Sequence, residues 1–219
     1  MRPRWFGWLS DDLTAMWIDL LMAIERRGMW PKVVMTILVH LLPKPTAGKR
    51  PVGVLPSVTR WWEKLSKPEL WRWRAAAKRD YDWAAKGRSA QDAVYGQALR
   101  DEAALARGHC TSTVLFDLVK AYEMVRLELV WRAGIAHKFP LTILRLVLEA
   151  CAFVRVLCFN GATTDGVYTL SAILAGGGAA QEALLLVLLT PVDRLVEAHP
   201  MSMFLLYVDD LGVHSAGEG

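Results

Sequence analysis

The pattern of apolar and polar positions divides the chain into many short elements rather than one dominant period. Ser10, followed by Asp11-Asp12 and a periodic apolar stretch, predicts a helix from about Asp11 to Arg27 that Gly28 closes. Val33 to Leu42 is rich in β-branched residues and reads as a strand, with a helix as the alternative. Pro43-Lys44-Pro45-Thr46-Ala47-Gly48 is a turn, and a basic pair leads from it into a short strand, Val52 to Leu55. Ser57 opens a helix that Pro68 interrupts. Ser89-Ala90-Gln91-Asp92 has the form of a capping box for another helix, which ends at Gly108. Thr111 to Phe116 reads as a buried strand terminating on Asp117. Helical patterns near Leu127 to Arg132 and Pro140 to Ala150 precede a hairpin, Phe153 to Phe159 and Val167 to Leu170 about Asn160-Gly161. Gly176-Gly177-Gly178 leads into an apolar helix over about Ala179 to Ala198, with Pro191 as a kink point. Two strands, Met203 to Val208 and Leu211 to His214, flank Asp209-Asp210. This order suits an α+β fold, an antiparallel sheet with helices on one face.

Composition narrows the class. A chain of 219 residues can bury one sizeable core, or two small subdomains sharing one. With 53% hydrophobic and 22% charged residues it is globular rather than disordered. The net charge of +4 permits a polyanionic partner without requiring one. Nine of the ten Trp fall between Trp5 and Trp83, interleaved with Lys and Arg, a mixture that suits stacked bases and phosphates but equally a Trp-rich core. Cys110, Cys151 and Cys158 have neither disulfide-framework nor zinc spacing, so a reducing, intracellular setting is expected. Ser10-Asp11-Asp12 interrupts any secretory leader, and the apolar runs Val33 to Leu42 and Ala183 to Leu189 are shorter than the roughly 20 residues a bilayer span takes, so no membrane partner is expected.

Candidate chemistry lies where apolar strands end in carboxylates. Val114-Leu115-Phe116 ends on Asp117, and Met203 to Val208 ends on Asp209-Asp210. A rigid sheet can fix such side chains at a cleft, and two such strands side by side would gather two or three negative charges. That gathering is unfavourable without a cation. Magnesium, which takes a few carboxylates together with substrate phosphates, is the natural one. The plain alternative is a hairpin turn at Asp209-Asp210-Leu211-Gly212.

The surrounding residues add a family. Phe116-Asp117-Leu118-Val119-Lys120-Ala121-Tyr122 resembles the first palm motif of reverse transcriptases, and Tyr207-Val208-Asp209-Asp210 resembles their second catalytic motif, 92 positions beyond Asp117 at Asp209. Ala175-Gly176 before a helix is similar to the family's Gln-Gly motif. Pro43-Lys44-Pro45 and Lys49-Arg50-Pro51-Val52 resemble the fingers motif of non-LTR retrotransposon enzymes, and Trp62-Glu63-Lys64-Leu65 and Gly87-Arg88-Ser89-Ala90-Gln91-Asp92 continue it. The resemblance implies right-hand polymerase fingers and palm without a thumb: an N-terminal helical extension over 1–30, a fingers-like region over 31–110, and a palm-like region over 111–219, incomplete at its C-terminus.

It also implies roles. Asp117 and Asp209, with the Leu118 carbonyl, would hold two magnesium ions (manganese as the substitute), and Asp210 would adjust charge beside them. Tyr122 would lie against the sugar and leave no room for a ribose 2′-hydroxyl; Lys44 and Arg50, with Lys49 the less certain of the adjacent pair, would meet the triphosphate; and Gly176 to Gly178 would let backbone approach nucleotide and template, a helix cap or hinge being the other use of such glycines. The implied reaction is DNA synthesis on an RNA template from a DNA primer and deoxynucleoside triphosphates. A nuclear location follows from the family alone, with no import signal visible. The chain departs from the family at Ala175 in place of Gln, at Ala179-Ala180-Gln181 in place of Leu-Ser-Pro, and at Glu123 in place of Asp. The competing functions are an inactive retroelement remnant acting at most as an RNA-binding module, an RNA-directed RNA polymerase, which Tyr122 disfavours, and an unrelated Trp-rich interaction protein.

Overall fold

The computed structural model describes residues 7–43, 48–169 and 171–217. Among these are seven α-helices and two β-sheets, a mixed α+β architecture. Local chemistry explains several elements directly. Helix α1 (Asp11–Arg27) starts where the Ser10 side chain accepts the Leu13 N–H at 3.4 Å, and stops where Gly28, at φ 62°, turns its N–H back to the carbonyls of Ile24 and Glu25. A single 3₁₀ turn, Lys32–Val34, follows Pro31 and delays the first strand, β1 (Thr36–Pro43). Val33 therefore lies outside the strand and is 89% exposed, whereas Ile37 and Val39 point inward.

The first sheet has the order β2-β1-β4-β5. β1 pairs antiparallel with β2 (Lys49–Val54), Leu38 opposite Val54, and parallel with β4 (Val154–Phe159), Thr36 opposite Val154. A parallel neighbour requires a long crossover, and five helices between Ser57 and Cys151 are accommodated in it. β4 turns at Asn160-Gly161, φ 48° and 81°, the two positive values of a tight hairpin, into the short β5 (Ala162–Thr163). The expected return strand over Val167 to Leu170 does not form. Thr164 Oγ1 takes the Leu157 N–H at 3.2 Å, and only an isolated bridge, Arg155 to Val167, continues; Leu170 lies outside the described residues.

The second sheet has the order β3-β7-β6, all antiparallel, with β7 (Asp210–Gly217) in the centre. β3 (Cys110–Asp117) was expected to be buried and is not: it is the sheet's edge, with Phe116 49% and Leu115 78% exposed. Its apolar residues mark a strand without marking a central one. β6 (Met203–Tyr207) is the buried strand, carrying Phe204 and Leu206 into the core. The stretch Tyr81 to Trp83 lies along it: Leu206 donates to the Tyr81 carbonyl at 2.7 Å and accepts from the Trp83 N–H at 2.8 Å. α3 (Ala90–Leu105) opens with the expected box, Ser89 accepting the Asp92 N–H at 3.1 Å, and reaches the sheet through Gln97 and Thr113, 2.8 Å apart.

The core gathers around α2 (Ser57–Ala76) and α7 (Ala180–Ala198). Pro68 does not interrupt α2, because Pro68 and Lys64, whose carbonyl loses its N–H partner, are both on the solvent side. α7 likewise continues through Pro191. α5 (Leu127–Ala136) and α6 (Leu141–Cys151) complete the packing, with the single turn α4 (Ala121–Met124) before them. Three tryptophans are core residues with satisfied indole N–H groups: Trp30 donates to the Leu146 carbonyl, Trp62 to Glu25 and Trp73 to the His137 carbonyl. Trp8 and Trp71 remain exposed.

Trp62 joins α2 to α1 and meets Trp30 edge-on at 5.5 Å. Trp62→Ala should therefore destabilise the fold by about 3–5 kcal/mol in urea unfolding, while Trp8→Ala should change it by less than about 0.5 kcal/mol.

Candidate active site

The register of β3 on β7 (Asp210–Gly217) places the acidic residues. Asp117, the last residue of β3, is the Cα partner of Asp210, the first of β7, and Asp210 in turn pairs with Tyr207 at the end of β6. Asp209 is therefore not the direct cross-strand neighbour of Asp117. It occupies the two-residue hairpin loop with Val208, because pairing Tyr207 with Asp210 leaves these two residues to turn the chain. Val208 sits at φ 61°, a left-handed conformation that costs a β-branched residue about 1–3 kcal/mol. Such loops favour glycine at this position, so the hairpin stores strain next to its carboxylates.

Beyond Asp117 the backbone turns at once. The Leu118 carbonyl accepts the Ala121 N–H at 3.1 Å, and Lys120 adopts φ 52° before α4. Tyr122 follows on that turn, fixed by its carbonyl, which accepts the Ile173 N–H at 2.8 Å. The Tyr122 phenol is partly buried. Burial raises its pKa; the negative charges of Asp209 and Glu182 raise it further, and Arg74 partly offsets them. The ring thus lies within electrostatic reach of the hairpin carboxylate.

Tyr122 lines a cavity of about 530 Å³ together with Lys67 and Trp71 of α2, the Ala175 to Gly178 loop, and the first turn of α7 through Glu182. The three glycines have different reasons to be small. Gly176, at φ +94°, faces open space. Gly177 and Gly178 face Glu63: a Cβ on Gly178 would lie 2.9 Å from the Glu63 Cβ. The buried Glu63 carboxylate accepts the Gly178 N–H, so a charged group anchors the loop from below. Burial raises the Glu63 pKa, against the lowering effect of that hydrogen bond and of Arg60 and Lys67.

A second group of charges stands behind the hairpin, and the sequence carries no spacing motif for it. Arg74 Nη2 lies 3.0 Å from both oxygens of Asp82, a residue only 2% exposed, and Arg74 Nη1 lies 3.6 Å from Glu182. Asp82 is the bridge partner of Leu206, three positions before Asp209. Arg79 and the Tyr81 hydroxyl both bond Asp193 on α7, the latter at 2.6 Å. The segment beside β6 is thereby tied to α2 and α7.

The predicted basic residues are placed less fully. Lys44 lies outside the described residues. Arg50 is placed by its backbone alone, on β2 opposite Leu42. Lys49 Nζ sits 3.3 Å over the ring of Phe159, a cation–π contact that holds it on the first sheet. Among the described residues no group of three or more His, Cys, Asp or Glu is placed to hold a metal ion.

Neither a family model nor a curated protein matches the chain. Solved structures do. An apo telomerase from Candida tropicalis, truncated from its C-terminal domain, superposes with a TM-score of 0.56 at 12% identity over 84% of this chain and 44% of its own. The Candida tropicalis telomerase in complex with a fragment of telomeric RNA gives the same score and identity over 84% of this chain and 36% of its own. The chain thus spans less than half the length of these neighbours, and at this identity the likeness shows the fold: a reverse-transcriptase-like one.

Glu63 provides a pH test of the loop anchor. A carboxyl whose folded pKa is raised stabilises the fold most below its ordinary value of 4.5, and that contribution is lost as pH rises through the folded value. Glu63→Gln removes the buried charge and keeps an acceptor for the Gly178 N–H. Its stability relative to wild type should therefore increase with pH above 4.5 and level off once Glu63 is ionised, measured by urea unfolding across that range.

Proposed function

We propose that this chain is the fingers and palm part of a reverse transcriptase that synthesises DNA on an RNA template. The observation that carries this is the register that makes Asp117 and Asp210 cross-strand partners with Asp209 in the loop beside them, while Tyr122 follows on the turn after Asp117. The division into an extension (1–30), fingers (31–110) and palm (111–219) belongs to the same proposal. So does the non-LTR type, which is supported by the segments Lys49 to Val52, Trp62 to Leu65 and Gly87 to Asp92. The neighbour in complex with telomeric RNA supports RNA as the template partner; a DNA primer and deoxynucleoside triphosphates complete the proposed substrates.

The donor set fits magnesium. Asp117 and Asp209 offer hard oxygen ligands, and the Leu118 carbonyl keeps a second lone pair after accepting the Ala121 N–H. Magnesium needs only one or two carboxylates when substrate phosphates supply the rest. When bound, two such ions would supply charge for hydroxyl attack and leaving-group departure. The chain's own residues do the positioning. The sheet fixes Asp117 and Asp210, and the strained loop presents Asp209. The Tyr122 ring closes the sugar side of the cavity, and Gly176 leaves its floor free of side chains.

Primer extension on an RNA template with deoxynucleotides and magnesium tests this. Asp209→Asn should lower the rate by at least about 100-fold, as expected for a group acting on transition-state charge; synthesis that survives would sink the mechanism. RNA binding without any synthesis would leave the remnant function instead. Tyr122→Ala should raise ribonucleotide incorporation relative to deoxynucleotide, read from competing substrates in the same assay. An unchanged ratio would remove Tyr122 from the sugar gate.

A further inference from the structure

One wall of the cavity beside Tyr122 comes from α2, where Lys67, Leu70 and Trp71 fall at i, i+3 and i+4 and share a face. The face is divided. Leu70 is 2% exposed and belongs to the core, while Trp71 is 53% exposed and stands open. Trp30, Trp62 and Trp73 use their indole N–H groups to tie elements of the core together. Trp71 meets instead a cation from another segment: the Lys86 ammonium lies 5.3 Å from its ring. Lys67 places a second cation on the same wall. The one carboxylate there, Glu182, is engaged by Arg74 and carries less free charge into the cavity.

An open indole with Lys86 beside its ring, on a cavity wall that also carries Lys67, matches the chemistry of unpaired nucleic acid: the ring takes a base face, and the ammonium groups take phosphates. Trp71 is open to solvent whereas Tyr122 is partly buried, so a ligand touching both runs from the surface inward, as an extended strand entering the cavity would.

We propose that Trp71 is a stacking platform for an unpaired base of the single-stranded RNA template, with Lys67 and Lys86 meeting the flanking phosphates. This rests on the assignment of the cavity to templated synthesis. The test is fluorescence anisotropy of a labelled single-stranded RNA of about a dozen nucleotides, a length one such groove can span, titrated with the full chain. Trp71→Ala should weaken binding about 10-fold, and Trp71→Phe should retain most of the affinity. Lys67→Ala and Lys86→Ala should each flatten the dependence of log Kd on log salt by about 0.7. Thermal melts of the Trp71 and Lys86 variants should match wild type, since both side chains are exposed.

Unchanged RNA affinity in Trp71→Ala overturns the proposal, and so does an equal loss in Trp71→Phe. Binding of deoxyadenosine triphosphate that depends on Trp71, when RNA binding does not, also overturns it and assigns the platform to the incoming nucleotide. The two proposals fail separately. Trp71-dependent RNA binding in a chain that never extends a primer sinks the polymerase function and leaves the platform; extension abolished by Asp209→Asn, with RNA bound equally by Trp71→Ala, sinks the platform alone.

Discussion

Asp117 and Asp210 stand opposite each other on adjacent strands, both exposed, at the end of a ladder that the rest of the sheet fixes. Direct like-charge neighbours on antiparallel strands destabilise a sheet by up to about 1 kcal/mol. The register is set elsewhere, by apolar pairs such as Val114 with Val213 and Phe116 with Leu211 further along the same ladder. Slipping by one residue in one direction would face Asp117 with Asp209 instead, and a slip either way would turn each side chain on β3 to the opposite face. The acidic pair is therefore a consequence of the ladder.

Position is inherited along a chain of neighbours. β7 is held by β6, and β6 by the core through Phe204 and Leu206 and by the backbone of Tyr81 and Trp83 on its other edge. Arg74 and Asp82 lock that edge to α2. A buried ion pair of this kind adds little net stability, because desolvation offsets attraction, but removing one partner leaves an uncompensated charge. Here it ties α2 to the segment that runs along β6, the strand before the loop that carries Asp209.

Helix α2 is the common support. Trp62 fastens it to α1, its buried Glu63 anchors the glycine loop, Arg74 steadies the strand before the hairpin, and Lys67 with Trp71 form a cavity wall. Residues one turn apart thus serve the core, the loop and the cavity in sequence. A helix broken at Pro68 could not do this, since Trp71 and Arg74 lie beyond the proline; its solvent-side placement keeps them in line with Trp62 and Glu63.

What the sequence determined by itself was local: the caps of α1 and α3, the Asn160-Gly161 turn, the acidic residues at strand ends, and the order of motifs around them. Each depends on residues within a turn or two of one another, so the chain's own spacing is enough. Only the tertiary structure decided that β3 is an exposed edge, that β1 runs parallel to β4, that Asp210 rather than Asp209 faces Asp117, and which tryptophans are core. It alone joined Glu63 to Gly178 and Arg74 to Asp82. Burial, sheet neighbours and buried charge pairs depend on what the rest of the chain brings alongside, and an apolar run or a lone arginine reads the same in sequence whichever neighbour it meets.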